Sequence, residues 1–226
     1  MLNHTNAQVE LFRTAQTAGL PITDSVFVKR ARLADGAQGV DIATGDPKET
    51  VVGIAHIRAV AQRFGTVVKQ QHVVQSDVSF ILPKMPVAGT VKVFNVTKNA
   101  PVDESKLTWT GATAKAADET EIAKGDVVEV TYRYAMSMLE VQSQGLPIDF
   151  ANQITGNDGA VEIATGRIKV EIDNFDTNAE YEVDADIYVA ADGSPTTVKN
   201  GKAVAKVVSE PTAANPVLAI SAFFVY

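Results

Sequence analysis

Apolar and polar residues alternate along the C-terminal part of the chain, from Gly159 to Tyr226. A period of two places successive side chains on opposite faces of a β-strand, one dry and one wet. The pairs Thr165-Gly166, Asp192-Gly193 and Asn200-Gly201 interrupt the alternation and favour tight turns. The pattern predicts about five short strands, folded as consecutive hairpins into a small barrel or sandwich. The alternating apolar positions are Val161, Ile163, Ile168, Val170, Ile172, Tyr181, Val183, Ala185, Ile187 and Val189.

The preceding part of the chain also favours strands. Residues 51–64 fit a helical stripe as well, but the neighbouring turns and β-branched residues favour a strand at 51–57. Residues 1–20 leave two alternatives open, a short helix capped by Thr5 or Asn6 and an extended arm that lies on a neighbouring molecule. Further strands are predicted at 26–28, 40–42, 67–74, 78–82, 90–96, 106–110 and 126–134, with a polar connection at 111–123.

The predicted fold class is therefore mainly β, with two or three small antiparallel β-barrel or sandwich domains and little helix. An N-terminal β domain is expected at 21–138, where 21–75 has a mixed pattern and 78–138 has the strand spacing of an immunoglobulin-sized sandwich. A connector is expected at 139–158, and a C-terminal β-barrel domain at 159–226.

Composition narrows the function classes. The 226 residues include no cysteine, which excludes disulfides, thiolate metal sites and cysteine nucleophiles. A net charge of −7 disfavours binding to nucleic acid, because an acidic surface repels phosphate. No apolar run is long enough to cross a bilayer, and the first residues lack the basic and apolar regions of a secretory signal. We therefore expect no membrane partner and folding in a cytoplasm.

The acidic residues of the C-terminal part offer a weak candidate for a metal site. Asp184 and Asp186 are two residues apart on a predicted strand and would share a face, with Asp173 and Asp176 nearby. Carboxylates of this kind bind hard cations such as calcium, although the EF-hand spacing is missing. A solvated strand face explains the same residues, so no metal is predicted.

Other candidate groups also have ordinary structural explanations. The histidines His4, His56 and His72 have no second ligand at metal-binding spacing. Residues 193–202 have the wrong spacing for a phosphate-binding loop and fit a hairpin turn. An aromatic platform for sugars is less favoured than core packing for Trp109, Tyr132 and Tyr134. No catalytic set is apparent, so the sequence predicts a protein without enzymatic activity or cofactor.

The end of the chain is a candidate interface. Phe223, Phe224, Val225 and Tyr226 form an apolar strand. Such a strand cannot stay exposed without inviting edge pairing. We expect it to be central in its sheet or covered by another subunit.

Three segments resemble a known class of proteins. They are DADIYVAADG at 184–193, GKAVAKVVS at 201–209 and VLAI at 217–220. They resemble the small β-barrel domains of tailed-phage virion proteins, and the head decoration (cement) proteins are the nearest group. The segment GDVVEVTYRY at 125–134 is similar to strand patterns in phage structural proteins generally.

The resemblance implies a virion structural protein that assembles in the host cytoplasm and lies on the capsid surface. Its expected partners are the major capsid protein at capsomer junctions and further copies of the same chain, with a trimer favoured. A tail-tube, neck or baseplate protein is the alternative from the same class. A carbohydrate-binding or adhesin module is the alternative from another class.

Overall fold

The computed structural model describes residues 7–13, 22, 25–33, 35–56, 64–143 and 160–224. Over these residues the chain is mainly β, as predicted. The strands are β1 (Ala7–Arg13), β2 (Phe27–Arg32), β3 (Gln38–Ile42), β4 (Val51–His56), β5 (Phe64–Val73), β6 (Ser79–Ile81), β7 (Lys92–Asn95), β8 (Ala100–Val102), β9 (Leu107–Thr110), β10 (Thr113–Ala116), β11 (Val127–Ala135), β12 (Ala160–Ile172), β13 (Asp186–Val189), β14 (Pro195–Thr196), β15 (Ala205–Ser209) and β16 (Leu218–Phe224). The described residues also contain one short α-helix, α1 (Met138–Ser143), and one turn of 3-10 helix at Glu104–Lys106.

The chain forms two compact units. The described residues of the larger unit fall within 1–64, 136–211 and 217–226. The smaller unit comprises residues 65–135 and 212–216. This division differs from the predicted one, because strands β2 to β4 share a sheet with the C-terminal strands instead of belonging to a separate N-terminal domain. The smaller unit interrupts the sequence of the larger one.

The larger unit contains one curled antiparallel sheet of nine described strands. Eight of them follow the order β14-β13-β15-β16-β12-β4-β2-β3, and β1 pairs with β12. The strand β1 also contacts β3, so the sheet curls toward closure. The extended alternative for the N-terminal segment is therefore correct for 7–13 and the helix is wrong, but the strand pairs with its own chain. Residues 14–20 lie outside the described residues.

Strand β12 is the longest strand of the sheet and changes partner part-way. Its first half pairs with β1, and its second half pairs with β16, with Gly166 at the junction of both registers. Gly166 has a φ of 77°, in the left-handed region that glycine adopts without steric cost. The predicted turn at Thr165-Gly166 is therefore wrong: the glycine marks a change of partner inside one strand instead of a reversal.

One buried cluster of the larger unit is aliphatic. The side chains of Val28, Ile42 and Ile163 are buried there, together with Val26, Val40, Val52, Ala55 and Val161. Strand β4 lies so close to its antiparallel partner β12 that a Cβ atom on Gly53 would lie 2.3 Å from Ile163 Cγ2. This position requires glycine because no side chain fits between the two backbones.

The smaller unit contains two sheets around one core. The three-stranded sheet has the order β6-β10-β9, and the four-stranded sheet has the order β5-β11-β7-β8. Side chains from both sheets meet in one buried cluster, among them Phe80 and Ala114 from the first and Val128 and Tyr132 from the second. The smaller unit is therefore a sandwich of two sheets, and it includes β5 as well as the strands between 78 and 135.

Aromatic rings organise part of that core. Phe80 lies between His72 and Trp109, with ring centroids 6.0 Å apart on both sides. Tyr132 is fully buried, and this burial raises its pKa to about 12. Core packing, which the sequence favoured for Trp109 and Tyr132, is confirmed for Tyr132, and Trp109 is partly buried against the same cluster.

A polar network fixes one end of the smaller unit. The side-chain amide of the buried Asn95 donates to Asp126 Oδ2 at 2.7 Å and to the main-chain oxygen of Glu121 at 3.0 Å. The backbone N–H of Ala123 also donates to Asp126 Oδ2, at 2.8 Å. Lys98 Nζ lies 3.7 Å from the same carboxylate. The hydrogen bond from Asn95 is the largest contribution that lowers the pKa of Asp126, so the carboxylate is held ionised.

Several local predictions differ from the structure. Residues 111–123 were expected to form only a connection, but they contain β10, which pairs with both β6 and β9. The strand expected from Tyr181 to Val189 begins only at Asp186. Tyr181 lies in the segment before that strand, and its hydroxyl shares its proton between the main-chain oxygens of Asp176 and Pro195, both at 2.9 Å. The first part of the expected connector is α1, and residues 144–158 lie outside the described residues.

Candidate interaction surface

One face of the sheet in the larger unit carries an exposed aromatic ring among cationic side chains. Strands β13, β15, β16 and β12 are consecutive neighbours. Their registers align Asp186 with Lys206, Lys206 with Ser221, and Ser221 with Lys169. Cross-strand partners in an antiparallel sheet point to the same face. The alternate positions of these strands, such as Ile187, Ala205, Ile220 and Val170, are buried on the opposite face. We call the first face the outer face.

Phe223 is the most exposed aromatic residue of this surface. It lies opposite Arg167 in the register of β16 and β12, and its side chain is 67% exposed. Phe224 points to the other face, is buried and packs edge-on against Phe27 with ring centroids 6.2 Å apart. Of the residues predicted to form an interface, Phe223 is therefore on the surface and Phe224 is in the core, while Val225 and Tyr226 lie outside the described residues.

An ion pair occupies the place of the candidate metal site. Lys206 Nζ lies 2.8 Å from Asp186 Oδ1 and donates to the main-chain oxygen of Asp184 at 3.1 Å. Asp186 raises the pKa of Lys206, so this ammonium group is charged at neutral pH. Asp184 is not on the strand but in a turn with a φ of 66°, so the two carboxylates do not share a strand face as predicted. No group of three or more potential metal ligands occurs among the described residues.

The turn that contains Asp184 forms an acidic margin of the outer face. The backbone N–H of Ala185 donates to Glu182 O, which closes the turn at 3.0 Å. Glu182 and Asp184 are exposed, and Val183 between them is 55% exposed. Because Lys206 on the outer face reaches the main chain of Asp184, this acidic turn lies beside β15 at the edge of the outer face.

A cleft opens next to Phe223. Its volume is about 230 Å³, and it is lined by the loop at 45–51, the segment at 200–204 and the end of β16.

Glu49, which lines this cleft, accepts hydrogen bonds from Lys29 Nζ and from both the backbone N–H and the hydroxyl of Thr44. Burial acts to raise the pKa of Glu49, but these hydrogen bonds outweigh it, so the pKa lies below its ordinary value. The cleft is smaller than the usual pockets for drug-sized ligands and has the size for a protein side chain.

The remaining candidate residues are dispersed. His4 lies outside the described residues, and His56 is in β4 of the larger unit, whereas His72 is in β5 of the smaller unit. Tyr134 contacts the Lys84 ammonium, 5.6 Å from the ring centroid, and Trp109 packs its edge against Phe80. The turn predicted at Asp192-Gly193 is closed by a hydrogen bond from Gly193 N to Ala190 O, whereas the segment 193–202, expected to be a hairpin turn, contains strand β14. None of these groups assembles a site for chemistry within the described ranges.

His72 makes the stability of the smaller unit dependent on pH. Its Nε2 atom is buried without a hydrogen-bond partner among the described residues, and burial lowers its pKa. The unfolded chain then binds a proton more readily than the folded chain, so we expect stability to be greatest above about pH 6.5 and to fall as the pH decreases below it. Unfolding by urea at several pH values, followed by fluorescence of Trp109, measures this.

The matched variant is His72→Leu, which removes the titrating group and keeps an apolar contact with Phe80. We expect its unfolding midpoint to vary less between pH 5 and pH 7 than that of the native chain. An equal pH dependence in the two proteins would assign the effect to other groups.

The sequence predicted Phe223 as an interface residue, but it did not predict the cationic side chains that surround the ring. Arg167, Lys169 and Lys206 were not singled out, because exposed charges that alternate on a strand are typical of any solvated face. Only the register of four strands brings them around Phe223. Two features of the sequence could have indicated this surface: the cationic residues at alternate positions 167 and 169, and the apolar strand at the end of the chain.

Comparison with known protein families, curated proteins and solved structures finds no match to this chain. The described residues include no helix with the length and hydropathy needed to cross a bilayer.

Proposed function

We propose that the chain is a non-enzymatic structural protein of a tailed-phage virion, and that it decorates the capsid surface at capsomer junctions. The likeness of residues 184–220 to phage β-barrel domains supports this function. The β architecture, with a sandwich in the smaller unit, is compatible with a protein whose work is to bury surface against other subunits. The expected partner is the major capsid protein.

The observation that carries the proposal is the exposure of Phe223 on an internal strand. The strand β16 has neighbours on both sides, so its backbone is paired, yet its outer face presents a large ring to solvent. Aromatic and Arg side chains are enriched in protein interfaces, and Arg167 lies directly opposite this ring. Burial of one such ring contributes about 2 kcal/mol before the costs of association. Repetition over a capsid surface multiplies even a modest contact.

The experiment uses expanded heads of the phage that carries the chain, prepared without it. The purified chain is added, and co-sedimentation and the temperature of head disruption are measured. We expect the native chain to sediment with the heads and to raise the disruption temperature. Phe223→Ser is expected to lower the occupancy by about tenfold, because it removes the apolar contact and leaves the fold intact.

The control variant is Ile81→Ser, which removes another exposed apolar side chain on a strand, 64% exposed, in the smaller unit. It is expected to bind like the native chain. Absence of the native chain from the sedimented heads, or an unchanged disruption temperature, would contradict the proposed function.

A further inference from the structure

The outer face carries opposite charges at its two margins. At the β12 margin, Arg167 and Lys169 are exposed, and the exposed Glu171 follows them at the next outward position, so the basic patch is limited to the end of β12 beside Phe223. At the β13 margin is the acidic turn with Glu182 and Asp184. The acidic turn has no cationic residue near it in the sequence, because no lysine or arginine occurs from 170 to 198. The larger unit thus presents a basic patch and an acidic patch on one surface.

Each patch has an exposed apolar side chain. Phe223, which is 67% exposed, lies opposite Arg167, and Val183, which is 55% exposed, lies between Glu182 and Asp184. Between the patches, the aligned row of Asp186, Lys206, Ser221 and Lys169 crosses the sheet. The two patches are therefore complementary in charge and alike in having an apolar centre, but on one molecule they are separated by strands β15 and β16.

We propose that the outer face binds the outer face of a second copy of this chain around a two-fold axis. In this arrangement the acidic turn of each copy contacts Arg167, Lys169 and Phe223 of the other. A two-fold contact requires a surface that is complementary to itself, which opposite patches on one face provide. The contact goes beyond the proposed function, since it concerns the purified chain alone. Because both contacts use Phe223, the dimer and the capsid-bound chain are alternative states of the outer face.

Charge complementarity favours a second copy over an unrelated partner. A partner that matched only the basic patch would leave the acidic turn without an oppositely charged contact. In a two-fold dimer, the basic patch of each copy contacts the acidic turn of the other, so both patches of both copies are paired. Exposed ion pairs contribute little each and are screened by salt. The apolar contact between Phe223 and Val183 must therefore supply affinity, while the charges set the orientation.

The test is an exchange of charges between two variants. One variant carries Arg167→Glu and Lys169→Glu, and the other carries Glu182→Lys and Asp184→Asn, where asparagine tolerates the left-handed backbone. Each variant alone would place like charges together, so we expect its dimer to weaken by at least about tenfold in sedimentation velocity at low salt. A mixture of the two restores both opposite-charge contacts, and a heterodimer within about threefold of the native affinity is expected.

Phe223→Ser is expected to weaken the dimer at all salt concentrations, whereas Lys124→Glu, a charge reversal at an exposed position of the smaller unit, leaves it unchanged. Circular dichroism confirms that each variant is folded. A native chain that stays monomeric, a trimer, or single variants that dimerise as well as the native chain would overturn the proposal. A native dimer without capsid binding would overturn only the proposed function, and capsid binding by a chain that is monomeric when purified would overturn only this inference.

Discussion

Replacing Gly53 by alanine is expected to destabilise the larger unit by about 3 kcal/mol, because the new methyl group has no room. Its Cβ atom would lie 2.3 Å from Ile163 Cγ2 and 2.6 Å from the main-chain oxygen of Ala164. One of these neighbours is backbone, so β4 and β12 must separate where they pair. The free energy of unfolding by urea, followed by far-ultraviolet circular dichroism, measures the effect.

The control for this substitution is Gly36→Ala in the same unit. Gly36 has a φ of 84°, but the nearest atom to an added Cβ is Arg32 Nη2 at 3.7 Å. Its expected cost is about 1 kcal/mol, from the left-handed backbone alone. Equal effects of the two substitutions would show that the close approach of β4 and β12 is not what requires glycine at position 53.

Replacing Phe80 by alanine is expected to destabilise the smaller unit by about 4 kcal/mol. The ring is almost fully buried, at 1% exposure, and packs against both His72 and Trp109. Removing the ring of Phe80 reduces the buried apolar surface of this unit and leaves a cavity between its two sheets. Urea unfolding followed by fluorescence of Trp109, the single tryptophan of the chain, reports on this unit.

The neighbouring residue provides the matched control for Phe80. Ile81 is on the same strand but points outward, so Ile81→Ala is expected to change the stability by at most about 0.5 kcal/mol. A loss after Ile81→Ala as large as that after Phe80→Ala would contradict the assignment of the two faces of β6.

Alternation of apolar residues predicted the strands that have one clearly dry face. Strand β11 is an example, because Val128, Val130 and Tyr132 alternate with half-buried or polar positions. Strand β10 was missed because its buried residues are Ala114 and Ala116, and alanine gives a weak apolar signal among polar neighbours. The helical stripe at 51–64 competed with β4, and the strand predicted at 51–57 is confirmed for Val51–His56.

Local sequence patterns could not predict which strands belong to which unit. The pairing of β4 with β12 joins residues far apart in the sequence, and no turn or composition shift indicates it. The same limit applies to the candidate surface. Phe223 could be found because it is apolar, whereas the position of Arg167 beside it depends on the register between β12 and β16.

The interruption of the larger unit by the smaller one has a consequence for synthesis on the ribosome. Strands β2 to β4 emerge early, but their neighbour β12 is made only after the whole of 65–135. The smaller sandwich can collapse around its own core while β1 and β4 still lack their partner β12. Late pairing between distant segments slows folding and exposes unpaired edges. Chaperones that shield nascent chains are therefore expected to act on residues 25–56 in preference to the sandwich.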